Sequence, residues 1–546
     1  MQGFRSVLAP RGMVTSPHWL ATSSGLSVLR DGGNAVEAAL AAATVLAVVY
    51  PHMNGVGGDS FWLFYDANTG DVDALIAAGT AGRQCNFQTL RSAGVEDAIP
   101  RRGPLSVVTV PGAVDGWCEA YRYSKERLGG RKPFSSLFRD AIYYAEHGFP
   151  VSPSHAVWLR KAIGRASVVS GGLERFAGFR KTFLKPDGSP YGRGERFVQV
   201  ELANTLSQIA TGGREAFYEG WVAKEICREL ERLGGLLEEE DFAHYRCEWT
   251  KPLTTRFRDW TVLNVPPPSQ GILSLALLNI LECFPVNDIS DGSADYYHLM
   301  IEATKCVFAD RDLVADPNFA EVPLNALLSK TRAAEYAKRI DIDTAATVSK
   351  SAMVEGDTVW LGVVDERGNA VSMIQSLYFD FGSGVVAGNT GVLLQNRGCS
   401  FVLSPGHPNG IAPGKRPFHT LNPAMVLHGD GALEMVYGTM GGDGQPQTQA
   451  ALVTRILDMG MDIQTAIDAP RWLYGRTWGE QSTHVYLESR IPVHVVEELV
   501  RRGHDVVMVD PWDDRMGHAQ AIWIDPRSGV RHGGADPRGD GMAAGF

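Results

Sequence analysis

The chain has 546 residues, 44% of them hydrophobic and 21% charged, which is the composition of a folded protein with an extensive core and excludes a disordered one. Its 51 Lys and Arg against 62 Asp and Glu leave a net charge of −11, so a general nucleic-acid or acidic-membrane binder is excluded as well. Seven cysteines without a CxxC pair predict buried free thiols in a reducing compartment, with no disulfide framework, metal or cofactor. No basic stretch leads into an apolar run near the start, so a cytoplasmic location is expected.

In chain order, Ser16 and Pro17 predict a helix start and Gly32-Gly33 its stop, after which Asn34 caps an apolar helix running to Tyr50. The apolar run from Ala38 is too short to cross a bilayer and predicts a buried core helix. MNGVGGDSFWLFYDANTG and DVDALIAAGT then predict two strands, which beside buried helices imply a layered α/β core. Residues 111–339 are mostly helical in pattern, with Gly-Gly stops at 129–130, 212–213 and 234–235. TTRFRDWTVLNVPPPSQG interrupts them with a strand pattern and leads into a helix from Gly271. Residues 341–357 are small and polar and predict an exposed linker. Beyond it TVWLGVV and AVSMIQSL form a predicted hairpin, followed by strand patterns in AMVLHGDGALEMVYG, HDVVMVD and AQAIWIDPRSGVRHGG, with a helix near Thr448 to Met459.

GxSxG, HExxH and GxxxxGK[ST] are all absent, and Asp380-Phe381-Gly382 lacks the other kinase motifs. The junction Gly356-Asp357-Thr358 is more informative. A cut before Thr358 would give one residue a hydroxyl nucleophile and a free α-amine suited to general-base work near neutral pH. The local pattern by itself favours the plainer reading, Thr358 as a β-former opening a strand. YGTMGGDGQPQTQAAL leads from a strand into a helix, so Gly441 and Gly442 could offer amides to an oxyanion or simply make a tight turn.

Together with GGNAVEAALAAATVLAVVYPHMNGVGGDSFWLFYD, PPPSQGI and HLMIEATKCVFADRD, the segments TVWLGVVDERGNAVSMIQS, FGSGVVAGNTGVLLQN, GKRPFHTLNPAM, GTMGGDGQPQ and ADPRGDG resemble the γ-glutamyltransferase family over nearly the whole chain. The resemblance implies a four-layer αββα sandwich of the N-terminal-nucleophile hydrolases. It also implies a precursor cut between Asp357 and Thr358 into subunits 1–357 and 358–546 that stay associated as a heterodimer, with further dimerisation open. Thr358 would be the nucleophile, Gly441 and Gly442 the oxyanion glycines and Ser376 the hydroxyl supporting Thr358, while Tyr378 stands where a substrate-contacting Asn is usual.

Recognition departs further from the family. Ala78 stands near the place of an Arg that grips an α-carboxylate, His419-Thr420 replaces a Ser-Ser pair, and Ser400 replaces the Asp that holds an α-ammonium. Arg397 appears instead, as a candidate partner for a substrate carboxylate or as a structural Arg. The expectation is an amidohydrolase of small amides with a carboxylate in the acyl part, in the branch that acts on oxamate. A γ-glutamyl transferase, a glutaryl- or cephalosporin-type acylase and an uncut binding relative are the alternatives. The short Pro-Gly-rich stretch after Ser400 implies a reduced lid.

Overall fold

The hairpin expected after the linker forms as the strands Asp357–Val364 and Ala370–Tyr378, in a computed structural model that describes residues 5–164, 172–347, 356–475 and 482–546. Its side chains divide by the two-residue period of a strand. Val359, Leu361, Val363, Val371 and Met373 join a core shared with helices, whereas Trp360, Val364, Ala370 and Ile374 join a core shared with a second sheet. Both faces are therefore buried, which explains the nearly continuous apolar runs.

The hairpin lies inside a seven-stranded antiparallel sheet ordered Met542–Gly545, Met13–Ser16, Asp357–Val364, Ala370–Tyr378, Asp59–Tyr65, Val72–Ala77 and Glu248–Thr250. A second seven-stranded antiparallel sheet is ordered Val7–Ala9, Arg531–Ala535, Ala519–Ile524, Leu433–Thr439, Ala424–Leu427, Trp260–Asn264 and Leu253–Phe257. The sheets meet through Phe61, Leu63, Trp360 and Ile374 on one side and Leu263, Met425, Val436 and Ile522 on the other. Helices including Ala35–Val49 and Ala113–Arg127 cover the outer face of the first sheet, and helices including Gly271–Leu281, Ala294–Phe308 and Gly444–Val453 cover that of the second. The result is the expected four-layer αββα sandwich. Both sheets contain strands from before and after residue 357.

Two local features set the layer spacing. Every residue of Ala35–Val49 is buried, and its start is fixed by Asn34 and Glu37, which cap one another's backbone amides. Between the sheets, the Trp360 indole lies against Gly438, where an added Cβ would come within 2.2 Å of Cδ1. Its Nε1 donates to Ser372 Oγ at 2.9 Å, which relieves the one polar atom of this buried ring.

Several expectations are corrected. Ser16 ends a strand rather than starting a helix; the helix is Trp19–Arg30, capped by His18, whose Nδ1 accepts from Leu20 N. The stop at 212–213 is kept, since Gly213, at φ 58°, is non-helical and divides Val200–Tyr218 into two helical segments. Of the seven free thiols only Cys85 and Cys227 are buried, and Cys283 is exposed. Residues 341–347 are largely exposed but tied down, with Ala345 N donating to Arg502 O at 2.7 Å and Ala346 N to Glu302 Oε2 at 3.0 Å. Gly356 is buried, and residues 348–355 lie outside the described residues. The stretch after Ser400 is clipped down, with Asn409 Nδ2 donating to Val314 O and Lys415 Nζ to Pro408 O and Gly410 O. No helix among the described residues is long and apolar enough to cross a membrane.

Trp360→Ala is expected to lower stability by about 3–5 kcal/mol, read as a lower urea midpoint; an unchanged midpoint would contradict this account of the sheet interface. Burial holds His18 and His155 down at about 3. The unfolded chain therefore takes up protons below about pH 6.5 that the folded chain does not, and stability falls as pH drops through that window. His155 stands among the rings of Phe149, Phe197 and Phe381. His155→Phe is expected to flatten the decline by about 1.4 kcal/mol per pH unit in urea titrations at about pH 6 and about pH 4.5. An identical slope would mean that His155 is protonated in the fold.

Candidate active site

Thr358 is fully buried at the end of a strand inside the first sheet. The ladder slips there, because Asp357 pairs with Tyr378 but Val359 pairs with Gln375. Ser376 and Leu377 together thus oppose Thr358 alone, a bulge that re-aims side chains at the strand end. Thr358 Oγ1 and Ser376 Oγ lie 3.4 Å apart, and Ser376 Oγ accepts from Tyr378 N at 2.7 Å. Tyr378 adopts φ 83°, a conformation that costs a side-chain-bearing residue about 1–3 kcal/mol. Its ring stacks under the Arg397 guanidinium, with Cζ 3.9 Å from the ring centroid.

Arg397 is completely buried at the head of the turn Arg397–Ser400. One edge meets Thr420, with Nη1 3.4 Å from Oγ1, while Nε and Nη2 on the other edge make no hydrogen bond to the described residues. Burial lowers its pKa to about 10, so it stays a cation at neutral pH. Facing this charge is Asp59, the register partner of Ser376 on the next strand. Asp59 Oδ1 accepts from Gly79 N at 2.9 Å, Gly112 N at 3.0 Å and Gln395 Nε2 at 3.2 Å. Oδ2 accepts no hydrogen bond and lies 3.5 Å from His419 Nε2. Burial pushes Asp59 up to about 6, against the pull of Arg397 and its hydrogen bonds. Burial, and then Arg397 and Arg416, hold His419 well below its ordinary value.

Gly441 and Gly442 form the turn between the strand Leu433–Thr439 and the helix Gly444–Val453, at φ 122° and 50°, which glycine adopts without strain. Gln270 ties this turn to the pocket, since its Nε2 donates to Gly442 O at 3.0 Å and Thr420 O at 3.2 Å. The PPPSQG segment runs beside His419, whose N donates to Pro268 O at 2.9 Å and whose O accepts from Gln270 N at 2.8 Å. Gly356 closes the group: a Cβ there would sit 3.1 Å from Thr420 Oγ1 and 3.3 Å from the Tyr378 ring. The uncut chain therefore passes against the residues that line the pocket.

The fold thus brings Thr358, Ser376 and Tyr378 together on one hairpin, sets Arg397 against Thr420, the neighbour of His419, and ties Gly442 to Thr420 through Gln270. Ser400 is not joined to them, its buried Oγ making no hydrogen bond, and Ala78 is a buried apolar neighbour of Gly79. Asp59, Gln270 and Gln395 are additions that sequence analysis did not single out. The GVGGDSF segment carried a signal for Asp59, a charged residue opening an otherwise apolar strand. Asp380 belongs to a turn and pairs with Arg102 at 2.9 Å. Elsewhere His298, Glu302 and His504 bring possible metal-ligating atoms within 4.8 Å of one another. Lys305 Nζ, 2.7 Å from Glu302 Oε1, already supplies the cation there.

The chain matches the gamma-glutamyltranspeptidase family over residues 21–546. It is 44% identical to the glutathione hydrolase-like YwrD proenzyme of Bacillus subtilis, over 99% of this chain and 100% of that protein. It is also 44% identical to the oxamate amidohydrolase proenzyme of Klebsiella pneumoniae, over 99% of each. Among solved structures, the cephalosporin acylase from Bacillus halodurans superimposes with a TM-score of 0.90 at 36% identity, covering 100% of this chain and 98% of that one. The chain belongs to the gamma-glutamyltranspeptidase family, and its fold is that of the N-terminal-nucleophile hydrolases.

Proposed function

We propose that the chain is a self-processing amidohydrolase that hydrolyses the amide of a small carboxylate-bearing substrate such as oxamate, through an acyl-enzyme on Thr358. Its family makes it an amide-cleaving enzyme. The narrower reading rests on one observation, the buried Arg397 with an unengaged Nε–Nη2 edge. That planar edge matches the two oxygens of one carboxylate.

In maturation Thr358 Oγ1 attacks the Asp357 carbonyl, the acyl group moves from nitrogen to oxygen, and water hydrolyses the ester. Two relatives bear the name proenzyme, which supports such a step here. Chains of 357 and 189 residues result, and they stay together because both contribute strands to each sheet. The freed α-amine, with an ordinary pKa of about 7.7–8.0, takes the Thr358 hydroxyl proton as Oγ1 attacks the substrate amide. Ser376 orients that hydroxyl, and the amides of Gly441 and Gly442 receive the oxyanion. Ammonia leaves with the proton, and water releases the acid.

Tyr378 orients Arg397 in this scheme, and His419 and Thr420 line the acyl site beside it. Ser400 replaces an ionic contact to an α-ammonium with a neutral hydroxyl, which with Ala78 disfavours a γ-glutamyl head group. A glutaryl-type amide is the second reading, supported by the acylase neighbour, since the same edge could hold a more distant carboxylate. The seven free cysteines fit a reducing cytoplasm.

Thr358→Ala is expected to remain one uncut chain without amidase activity, judged by denaturing electrophoresis and ammonia release; cleavage at the same junction would remove Thr358 from the role. Arg397→Ala is expected to leave cleavage intact. It should cost about 2–5 kcal/mol in transition-state binding, roughly 30-fold or more in kcat/KM, for oxamate and glutaryl amides. Equal kcat/KM across carboxylate and neutral amides would dispose of the Arg397 assignment.

A further inference from the structure

The acyl pocket holds more polar capacity than its own residues use. Among the described residues, Asp59 Oδ2, both nitrogens of His419, and Nε and Nη2 of Arg397 are buried without hydrogen bonds, and Oδ2 lies 3.5 Å from His419 Nε2. Buried polar atoms left open at one place cost about 1–3 kcal/mol each, so they mark a site completed by a ligand. The charge count is equally specific. One cation, Arg397, faces one carboxylate, Asp59, with a neutral His419 between Arg397 and Arg416 in influence.

A substrate carboxylate on the open Arg397 edge would bring a second anion into this balanced chamber. Two carboxylates that share one cation in a buried site do not both stay ionised without a further positive charge. Arg416 cannot supply it, because its guanidinium is engaged by Asp316 at 2.8 Å and Glu248 at 2.6 Å. The other ionisable groups facing these side chains among the described residues are Tyr245, toward Asp59, and Tyr378 and Cys399, toward Arg397, none of them a cation; the Thr358 α-amine freed on maturation titrates at about 7.7–8.0 in its own right, so the proton uptake assigned to the Asp59 pair is the part that Asp59→Asn removes.

We infer that Asp59 and His419 form a proton-holding pair, and that a substrate carboxylate binding at Arg397 draws one proton from solvent onto that pair. The inference rests on the carboxylate reading of Arg397 and adds to it two positioning residues. The proton lies between Asp59 Oδ2 and His419 Nε2, so the pair changes from anionic to neutral as the substrate anion arrives. Asp59 is held up to about 6 in the free pocket, and a neighbouring anion raises it further. Below about pH 6 the pair already holds its proton and anion affinity is flat. Above that, affinity falls about tenfold per pH unit while one proton is taken up per anion.

The test is calorimetry of oxalate binding to the mature protein between about pH 5.5 and pH 8, in two buffers of different ionisation enthalpy. Wild type is expected to take up about one proton per oxalate at the upper end and none at the lower. Asp59→Asn keeps the Oδ1 acceptor for Gly79 and Gly112, and it should abolish the uptake and flatten the pH dependence. His419→Gln provides a second variant with the same expected loss. Unaltered self-cleavage certifies that each variant folds. Oxalate binding that needs Arg397 but takes up no proton would overturn the coupling alone. No oxalate binding, or binding that survives Arg397→Ala, would overturn the carboxylate reading and the coupling with it. Tighter, pH-independent binding of L-glutamate would instead place a ligand ammonium at Asp59.

Discussion

The contact between the Trp360 indole and the bare α-carbon of Gly438 fixes how closely the two sheets approach, and the site depends on that spacing. Thr358 lies two residues before Trp360 on one sheet, and Gly441 and Gly442 lie three and four residues beyond Gly438 on the other. Chemistry that needs a hydroxyl and a glycine turn at one place therefore rests on a packing contact between sheets. A side chain at 438 would push the strands apart where the ring is flattest. Gln270 then pins the glycine turn to the backbone of Thr420, so the far side of the pocket moves with the second sheet.

Around this frame the protein keeps a scaffold of known type and changes its charges. A fully buried guanidinium is costly unless an anion and well-placed acceptors offset it. Here the ring of Tyr378 covers one face of Arg397, and the anion that faces it, Asp59, is itself half satisfied by backbone amides. The strained φ of Tyr378 is tolerable because Ser376 accepts its amide hydrogen and the guanidinium stacks on its ring. Substrate selectivity, on this account, lies in how a second anion is accommodated.

Much of the fold was legible in sequence because the signals were local and periodic. The Asn34 cap, the 358–376 hairpin and the helix from Gly271 follow from capping chemistry and alternation. Ser16 misled because a β-strand edge uses the same Ser-Pro pair as a helix start, and its hydroxyl goes to Thr22 and the backbone of His18. In the site, Thr358, Ser376 and Arg397 could be marked from the resemblance to the family. Gln270 could not, and Asp59 showed only as a charged residue opening an apolar strand, since their partners lie far away in the chain and only the folded sheets bring them into register.

The central claim is that Thr358 becomes a free N-terminal residue. Intact mass together with N-terminal sequencing of freshly purified protein tests it most directly. The account predicts two chains, one of them beginning at Thr358 and 189 residues long. A single chain that persists at 59.3 kDa after prolonged incubation, or a cut at any other residue, would contradict it.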